Sequence, residues 1–245
     1  MSRNKNIVVY DNKLNTISFT NTSMIEIDLF FSICSKIQDT NKKEIILSCK
    51  EVKDLMMKNK TRFKSLNDFV KYLDSSVQEL MKLSMRELHE DKIIYTSIFN
   101  KIEILDIETM PSIEMKLSTK GYLALNALTK NFTKFDLEDL ISIKGKYAKV
   151  IFTTLKQWRT VGSFTFKIDE LKTRLGIPKS YDTREITRSI LNPAIKELSE
   201  FFKDLKCEPL KNGRNIIAYK FTFTPEKVTK KTNNNSKIDK TPIFW

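Results

Sequence analysis

The stretch IDELKTRLGIPKSYDTREITRSILNPAIKELSEFF, residues 168–202, decides the fold of this chain. It consists of a short segment, a break at residues 176–178 (Gly-Ile-Pro) and a longer segment. In the longer segment apolar side chains recur at intervals of three and four residues, which predicts a helix with one buried face. Asp182 and Glu185 have the spacing of a capping box, so we expect this helix to begin beside them. A short helix, a turn and a long helix predict a helix-turn-helix, and we interpret the long helix as a recognition helix for the DNA major groove.

The face of the long helix that lies away from the apolar residues is polar and partly basic. Pro193 falls inside this helix, where proline usually costs about 3 kcal/mol and kinks the helix. We therefore expect DNA contacts mainly from the part of the helix before Pro193. The alternative for each basic side chain is that it belongs to an ordinary solvated face of the helix and contacts no DNA. The candidate contacts are Thr183, Arg184, Arg188, Ser189, Asn192 and Lys196.

The charge of the chain is positive and unevenly distributed. Its 245 residues include 43 Lys and Arg against 30 Asp and Glu, for a net charge of +13. Residues 1–130 carry 20 basic and 17 acidic side chains, whereas residues 131–245 carry 23 and 13. The positive charge thus accompanies the helix-turn-helix, which favours a nucleic acid over a membrane surface as the partner. The alternative is that the lysine-rich composition reflects only an AT-rich genome.

Two parts of the chain are similar to each other. With a shift of 119 residues, EIILSCKEVKDLM from Glu44 aligns with SFTFKIDELKTRL from Ser163. With a shift of 118 residues, Leu73 aligns with Leu191. Each copy has the order helix, strand, short helix, long helix and hairpin, which is the order of a winged helix. We predict an α+β fold with two tandem pseudo-symmetric winged-helix (helix-turn-helix) domains, with chance similarity between amphipathic helices as the alternative.

The repeat predicts where the domains begin and end. The divisions are an N-terminal winged-helix domain at 1–118, a connecting helix at 119–130, a C-terminal winged-helix DNA-binding domain at 131–225 and a basic mobile tail at 226–245. Within the domains we expect a long helix over residues 65–88 with Leu88 inward and a helix over residues 135–143. Asn212-Gly213 predicts the turn of a hairpin, the wing of the second domain.

Basic residues outside the long helix are further candidates, because phosphate contacts fix the position of a protein on DNA without selecting a sequence. Lys179 belongs to the turn, and Lys211 and Arg214 belong to the predicted wing. Three lysines stand near the start of the helix before the helix-turn-helix, and four basic residues occupy the equivalent part of the first domain. These are Lys144, Lys146 and Lys149, and Lys60, Arg62, Lys64 and Lys71, respectively.

The residues that the sequence lacks exclude several kinds of enzyme. Its only histidine, His89, excludes a nuclease that holds a metal with paired histidines, and rolling-circle nicking with it. Its five glycines never have the spacing of a phosphate-binding loop. Cys34, Cys49 and Cys207 are too scattered for a zinc site or a disulfide framework. We therefore expect a protein that is not an enzyme, binds no metal or cofactor, and, without an export signal or a bilayer-spanning run, is cytoplasmic.

Residues 132–200 closely resemble the C-terminal winged helix of the iteron-binding replication initiators, the Rep proteins of theta-replicating plasmids. The segment EITR at residues 185–188 keeps the family's basic residue, Arg188, but lacks its aromatic residue. Weaker likeness extends through the first half. The matching elements are KYA at 146–148, LKQ at 155–157, Gly162, EL at 170–171, LG at 175–176, Tyr181, LxPAIxE at 191–197, GR at 213–214, FTF at 221–223, NxL at 12–14 and LFF at 29–31.

This resemblance implies a protein that initiates plasmid replication. Monomers would bind direct repeats in double-stranded origin DNA, help to melt an AT-rich segment, and recruit the host initiator DnaA and the replicative helicase. Homodimers would repress the protein's own promoter. A winged-helix transcriptional repressor that binds an operator and a protein-interaction scaffold are the alternatives. If both domains contact one face of a duplex, we expect their recognition helices in major grooves about one turn apart, roughly 34–36 Å.

Overall fold

The structure is a computed structural model that describes residues 7–40, 42–58, 63–126 and 131–227. The first half contains, in order, β1 (Ile7–Asp11), a 3-10 helix (Asn12–Thr16), α1 (Met24–Thr40), β2 (Glu44–Leu47), α2 (Cys49–Lys58), α3 (Leu66–Met81), β3 (Ser84–Leu88), β4 (Ile93–Ser97), β5 (Phe99–Leu105), β6 (Ser112–Leu117) and α4 (Thr119–Asn126).

The second half contains a composite helix, α8, which we number as one element over residues 183–198. The elements are β7 (Phe132–Asp136), α5 (Leu137–Ser142), α6 (Lys146–Gln157), β8 (Ser163–Lys167), α7 (Ile168–Leu175), α8 (Thr183–Glu185, a π-helical part Ile186–Leu191, and Asn192–Leu198), β9 (Lys206–Asn212) and β10 (Asn215–Thr222).

The two halves have the same topology. In the first half β6 lies between β2 and β5, and in the second half β10 lies between β8 and β9, all antiparallel. In each half a strand is followed by a helix-turn-helix and then by the hairpin that completes the sheet, with β3–β4 inserted in the first half. α2 and α7 begin 119 residues apart, which is the shift found in the sequence. The prediction of two tandem winged-helix domains is therefore confirmed.

The long helix predicted over residues 65–88 is shorter than expected. α3 begins after Ser65, whose hydroxyl accepts the Asp68 N–H at 3.1 Å, and it ends at Met81. The residues that follow form β3, which pairs with β4 through five residues on each strand. The prediction that Leu88 points inward is wrong, because this residue is 68% exposed. Five residues of mixed polarity fit a helix and a strand equally well, and pairing with the next strand decides between them.

The helix predicted over residues 135–143 begins two residues later than expected. Phe135 belongs to β7, where it pairs with Val8 of β1, and the helix α5 begins at Leu137. Asp136 caps this helix by accepting the Glu138 N–H at 3.0 Å. The sequence could not indicate the strand because β1, with which it pairs, lies more than 120 residues earlier in the chain.

A common core joins the two halves. Phe31 of α1 packs against Phe135 of β7 with ring centroids 5.5 Å apart, and Phe135 packs against Phe152 of α6 at 5.3 Å. Beside them the buried Asn15 amide donates to the Thr133 hydroxyl at 2.8 Å. The division predicted at residues 119–130 stays a prediction. Only part of this connecting helix, Thr119–Asn126, and residues 226 and 227 of the predicted tail lie within the described residues.

The helix α8 accommodates Pro193 by a change in its hydrogen bonds. The Asn192 N–H bonds to the carbonyl of Thr187, five residues back, which marks a π-helical turn directly before the proline. Leu191 and Asn192 keep helical angles, with φ of −73° and −60°. One extra residue in the turn gives room to a ring that would otherwise collide with the preceding turn, so α8 continues through Pro193.

Candidate nucleic-acid interface

The buried face of α8 fixes this helix on the second domain. Ile186, Ile190, Ala194 and Leu198 are at most 3% exposed, as the spacing of apolar residues predicted. The helix begins at the predicted cap, where the Asp182 carboxylate accepts the Glu185 N–H at 2.7 Å. Burial of four apolar side chains along one face leaves the opposite face exposed along the whole helix.

A cluster of hydroxyls attaches the first turn of α8 to the wing. The Tyr219 hydroxyl of β10 lies 2.9 Å from the Thr183 carbonyl oxygen and 2.7 Å from the Thr187 hydroxyl, which itself donates to the Thr183 carbonyl at 2.8 Å. Burial raises the pKa of Tyr219, so its hydroxyl keeps its proton at neutral pH. Thr183 is half-buried, and its carbonyl serves this cluster.

The outer face of α8 presents the predicted polar side chains to solvent. Two of them share one partner: the Glu185 carboxylate accepts from the Arg188 guanidinium at 3.0 Å and from the Ser189 hydroxyl at 2.6 Å. The Arg188 side chain is 76% exposed, so this ion pair is a weak one that DNA can displace. The exposed members of the face are Arg184, Arg188, Ser189, Asn192 and Lys196.

Glu185 holds two candidate DNA contacts, Arg188 and Ser189, and this role was not predicted from the sequence. The signal was present, because residues three and four positions apart face each other on a helix. In the absence of DNA, Glu185 orients Arg188 and Ser189 toward the same side of α8.

The turn between α7 and α8 carries another exposed cation. Gly176 ends α7 in the left-handed conformation with φ of +65°. The Lys172 ammonium closes the turn by donating to the Tyr181 carbonyl at 2.7 Å. Lys179 is exposed between them, beside the first turn of α8.

The hairpin predicted around Asn212-Gly213 is confirmed as β9 and β10. Gly213 adopts φ of +60°, and a methyl group built there meets no atom within 4 Å. Lys211 and Arg214 are both exposed at this tip. The second domain therefore presents three groups of exposed cations, on α8, on the turn and on the wing.

The three lysines near the start of α6 differ in their surroundings. Lys144 is exposed. Lys146 is half-buried and donates to the Thr20 carbonyl at 2.8 Å, and burial lowers its pKa. Lys149 is 0% exposed, and its ammonium lies 2.6 Å from the Asp28 carboxylate, whose side chain is also 0% exposed.

The prediction of a phosphate contact from Lys149 is wrong. A side chain enclosed on all sides cannot touch a duplex, and its charge is matched inside the protein. Burial lowers the pKa of Lys149, and the neighbouring carboxylate offsets part of that effect. The burial of Lys149 could not be predicted from neighbouring residues, because its partner stands 121 positions earlier in the chain.

The first domain offers fewer cations among its described residues. Lys64 and Lys71 are exposed, whereas Lys60 and Arg62 lie outside the described residues. The exposed face of α3 also carries Asp68 and Asp74. The hairpin tip of this domain, residues 106–110, contains Asp106 and Glu108 in place of the cations of the second wing.

Neither a metal site nor a membrane-spanning helix is found among the described residues. Across 7–40, 42–58, 63–126 and 131–227, no group of three His, Cys, Asp or Glu side chains is placed to hold a metal ion. Over the same ranges no helix combines the length and the apolar character required to cross a bilayer.

Comparison with known proteins identifies the family. The family described as "Initiator Replication protein, WH1" matches residues 7–156, and the one described as "Initiator Rep protein, WH2" matches residues 167–223. A relative from Bifidobacterium longum (strain NCC 2705), "Probable replication protein rep", is 26% identical over 228 residues, which cover 90% of this chain and 73% of the relative.

Among solved structures, the Pi initiator protein in complex with iteron DNA has a similar fold. The TM-score is 0.64 with 16% sequence identity, over 91% of this chain and 98% of the other. The WH1 and WH2 matches, which follow each other over nearly all of the described residues, agree with the duplicated winged helix seen in the structure. The chain belongs to the family of Rep replication initiator proteins.

Proposed function

We propose that this protein initiates plasmid replication by binding direct repeats, or iterons, in double-stranded origin DNA. The observation that carries the proposal is the exposed face of α8 together with the wing. Arg184, Arg188 and Lys196 on the helix and Lys211 and Arg214 on the wing are all exposed on one domain. A helix with cations and amides on its outer face suits the major groove, and flanking cations suit the phosphates. The solved Pi initiator, which has a similar fold, was crystallised with iteron DNA.

The duplicated fold supports binding to an asymmetric site. The two winged helices differ in charge, since the described part of the first has acidic residues where the second has basic ones. Two unlike domains in one chain match a direct repeat, whereas two copies of one domain match a palindrome. One protomer is therefore expected to cover one repeat, with the second domain supplying most of the phosphate contacts.

The partners of the protein at the origin are part of the same proposal. We expect the protein to act by binding, without catalysis of its own, to help melt the adjacent AT-rich DNA in the cytoplasm. The host initiator DnaA and the replicative helicase are the partners that it would recruit. The family resemblance in residues 132–200 supports this assignment.

A second function, autorepression by a homodimer, is favoured by one observation. The β3–β4 hairpin exposes a group of large apolar side chains, Leu88 at 68%, Ile93 at 49% and Tyr95 at 65%. Apolar side chains on a two-stranded sheet suit contact with a second protein surface. A second copy bound there would give a symmetric dimer, and an inverted repeat is the DNA that such a dimer fits.

Salt-dependent binding and footprinting test the proposal. About six to ten phosphate contacts predict a slope between about −5 and −9 for log affinity against log salt on a duplex with one repeat. We expect the monomer to protect about two successive major grooves without a palindrome. A slope near zero would contradict DNA binding, and protection of a symmetric site by an obligate dimer would assign the protein to the repressors.

A further inference from the structure

A buried ion pair connects the helices that lead into the two helix-turn-helix units. Asp28 belongs to α1, which precedes β2, α2 and α3, and Lys149 belongs to α6, which precedes β8, α7 and α8. Their charged atoms lie 2.6 Å apart, and both side chains are 0% exposed. α1 contacts α3, and α6 contacts α8, so the contact between α1 and α6 connects the two long helices of the helix-turn-helix units.

The Lys149 ammonium directs its three donors to acceptors on two other elements, α1 and α5. Besides Asp28 on α1, it donates to the Leu140 carbonyl at 2.7 Å and to the Ile141 carbonyl at 3.4 Å. Both carbonyls belong to α5, near its C-terminal end, and the Leu140 carbonyl also accepts the Ile143 N–H at 3.2 Å. An ammonium has three donors, so α1, α5 and α6 are fixed to one point.

The rest of the interface between the halves combines ring contacts with hydrogen bonds, among them the pairing of β1 with β7 and the bond from Asn15 to Thr133. Phe31, Phe135 and Phe152 pack through ring contacts of 5.3 to 5.5 Å. Apolar contacts depend on buried area and tolerate small sliding movements, whereas separating two buried opposite charges removes a large part of what offsets the cost of burying them. Replacing a buried ion pair by uncharged residues is often neutral for stability, so the pair contributes mainly the geometry of the interface.

We propose that the Asp28–Lys149 pair is a positioning element that sets the spacing between the recognition helices α3 and α8, and thereby the repeat geometry that one protomer accepts. This inference rests on the proposed function, since it concerns how the same protein fits its repeat. Asp28 and Lys149 touch no DNA and act through the helices that they connect.

The test compares binding to two duplexes. The first carries a single repeat, and in the second two base pairs are inserted between the half of the repeat that the first domain protects and the half that the second domain protects. Two base pairs displace one half by about 7 Å and turn it by about 70°. We expect the wild type to bind the inserted duplex at least tenfold more weakly. The ratio to be measured is the affinity for the uninterrupted repeat divided by the affinity for the inserted duplex. In the double variant D28N/K149M this ratio should fall to about threefold. The affinity of the variant for a duplex that carries only the half-repeat bound by the second domain should stay within twofold of the wild type.

A matched control is the exposed pair Lys36–Glu51, 2.5 Å apart, which connects α1 and α2 within the first domain. The variant K36M/E51Q should keep the wild-type ratio. The single variant D28N, which keeps the volume and an acceptor, should lower the ratio at least twofold and serves if the double variant does not fold. An unchanged ratio in folded D28N or D28N/K149M overturns the proposal, as does a wild-type ratio near one.

A measurement without DNA separates this proposal from the proposed function. Spin labels at Gln78 of α3 and Lys196 of α8, both exposed, report the distance between the two helices. Cys34 and Cys49 are buried, and Cys207 is replaced by Ser for this experiment. We expect the distance distribution to broaden or shift in D28N/K149M and not in K36M/E51Q. Failure of the wild type to bind repeats refutes the proposed function, whereas an unchanged distribution refutes the positioning role.

Discussion

Replacing Gly176 by Ala tests how closely the helix-turn-helix of the second domain packs against the first domain. Gly176 adopts φ of +65°, where an L-residue is strained, and a Cβ there would lie 2.4 Å from the Thr20 Cα and 3.0 Å from the Thr20 carbonyl oxygen. Thr20 belongs to the segment before α1. Around it the Ser18 hydroxyl donates to the Thr173 carbonyl at 2.9 Å and the Lys146 ammonium to the Thr20 carbonyl at 2.8 Å.

Two costs add for Gly176→Ala. The left-handed conformation costs about 1–2 kcal/mol for alanine. About 0.4–1 kcal/mol of this cost is offset because alanine makes the unfolded chain less flexible. The Thr20 backbone must then move by about 1 Å to reach ordinary contact distance, and overpacking of this kind costs about 1–3 kcal/mol. We expect a loss of roughly 2–4 kcal/mol in the free energy of unfolding.

Gly213→Ala is the matched control, because Gly213 has nearly the same φ of +60° and nothing within 4 Å of an added Cβ. It should lose only about 1 kcal/mol. For a chain of this length, 1 kcal/mol corresponds to about 2–4 °C in Tm. Thermal unfolding followed by circular dichroism should give a drop of about 2–4 °C for Gly213→Ala and about 4–16 °C for Gly176→Ala. Equal drops in the two variants would show that the turn does not pack against Thr20 as described.

Three further predictions concern the DNA-binding surface. If Arg188 contacts a base edge, Arg188→Ala should cost about 1–3 kcal/mol of binding free energy and relax sequence specificity at one base pair. A competition assay with mutated repeats measures this specificity. An unchanged sequence preference would show that Arg188 contacts the phosphate backbone. Lys211→Ala or Arg214→Ala should weaken specific and random duplexes alike and reduce the salt slope by about one each, and a loss confined to the repeat would show base contacts from the wing. Lys144→Ala should reduce the salt slope without changing Tm. Lys149→Met should lower Tm, because it removes the buried ammonium that pairs with the Asp28 carboxylate, and it should leave the salt slope unchanged. The reverse pattern in titrations and melting curves would contradict the burial of Lys149.

Local patterns in the sequence were sufficient for most of the second domain. The spacing of Ile186, Ile190 and Ala194 predicted the buried face of α8, and Asp182 predicted where the helix begins. Asn212-Gly213 predicted the wing. These features depend on neighbours within a few residues, so periodicity and turn chemistry determine them before any tertiary contact forms. The same pattern occurs 119 residues earlier, and for the same reason it predicted the winged helix of the first domain.

The sequence by itself thus determined the fold class, the duplication and the exposed basic face of α8. The tertiary structure decided what depends on residues far apart in the chain. β7 is a strand because β1 pairs with it, and residues 84–88 form a strand because β4 pairs with them. Lys149 is a buried partner of Asp28 because α1 covers it. A sequence shows which residues can pair or be buried, but only packing selects the partner, since every exposed and every buried lysine has the same local chemistry.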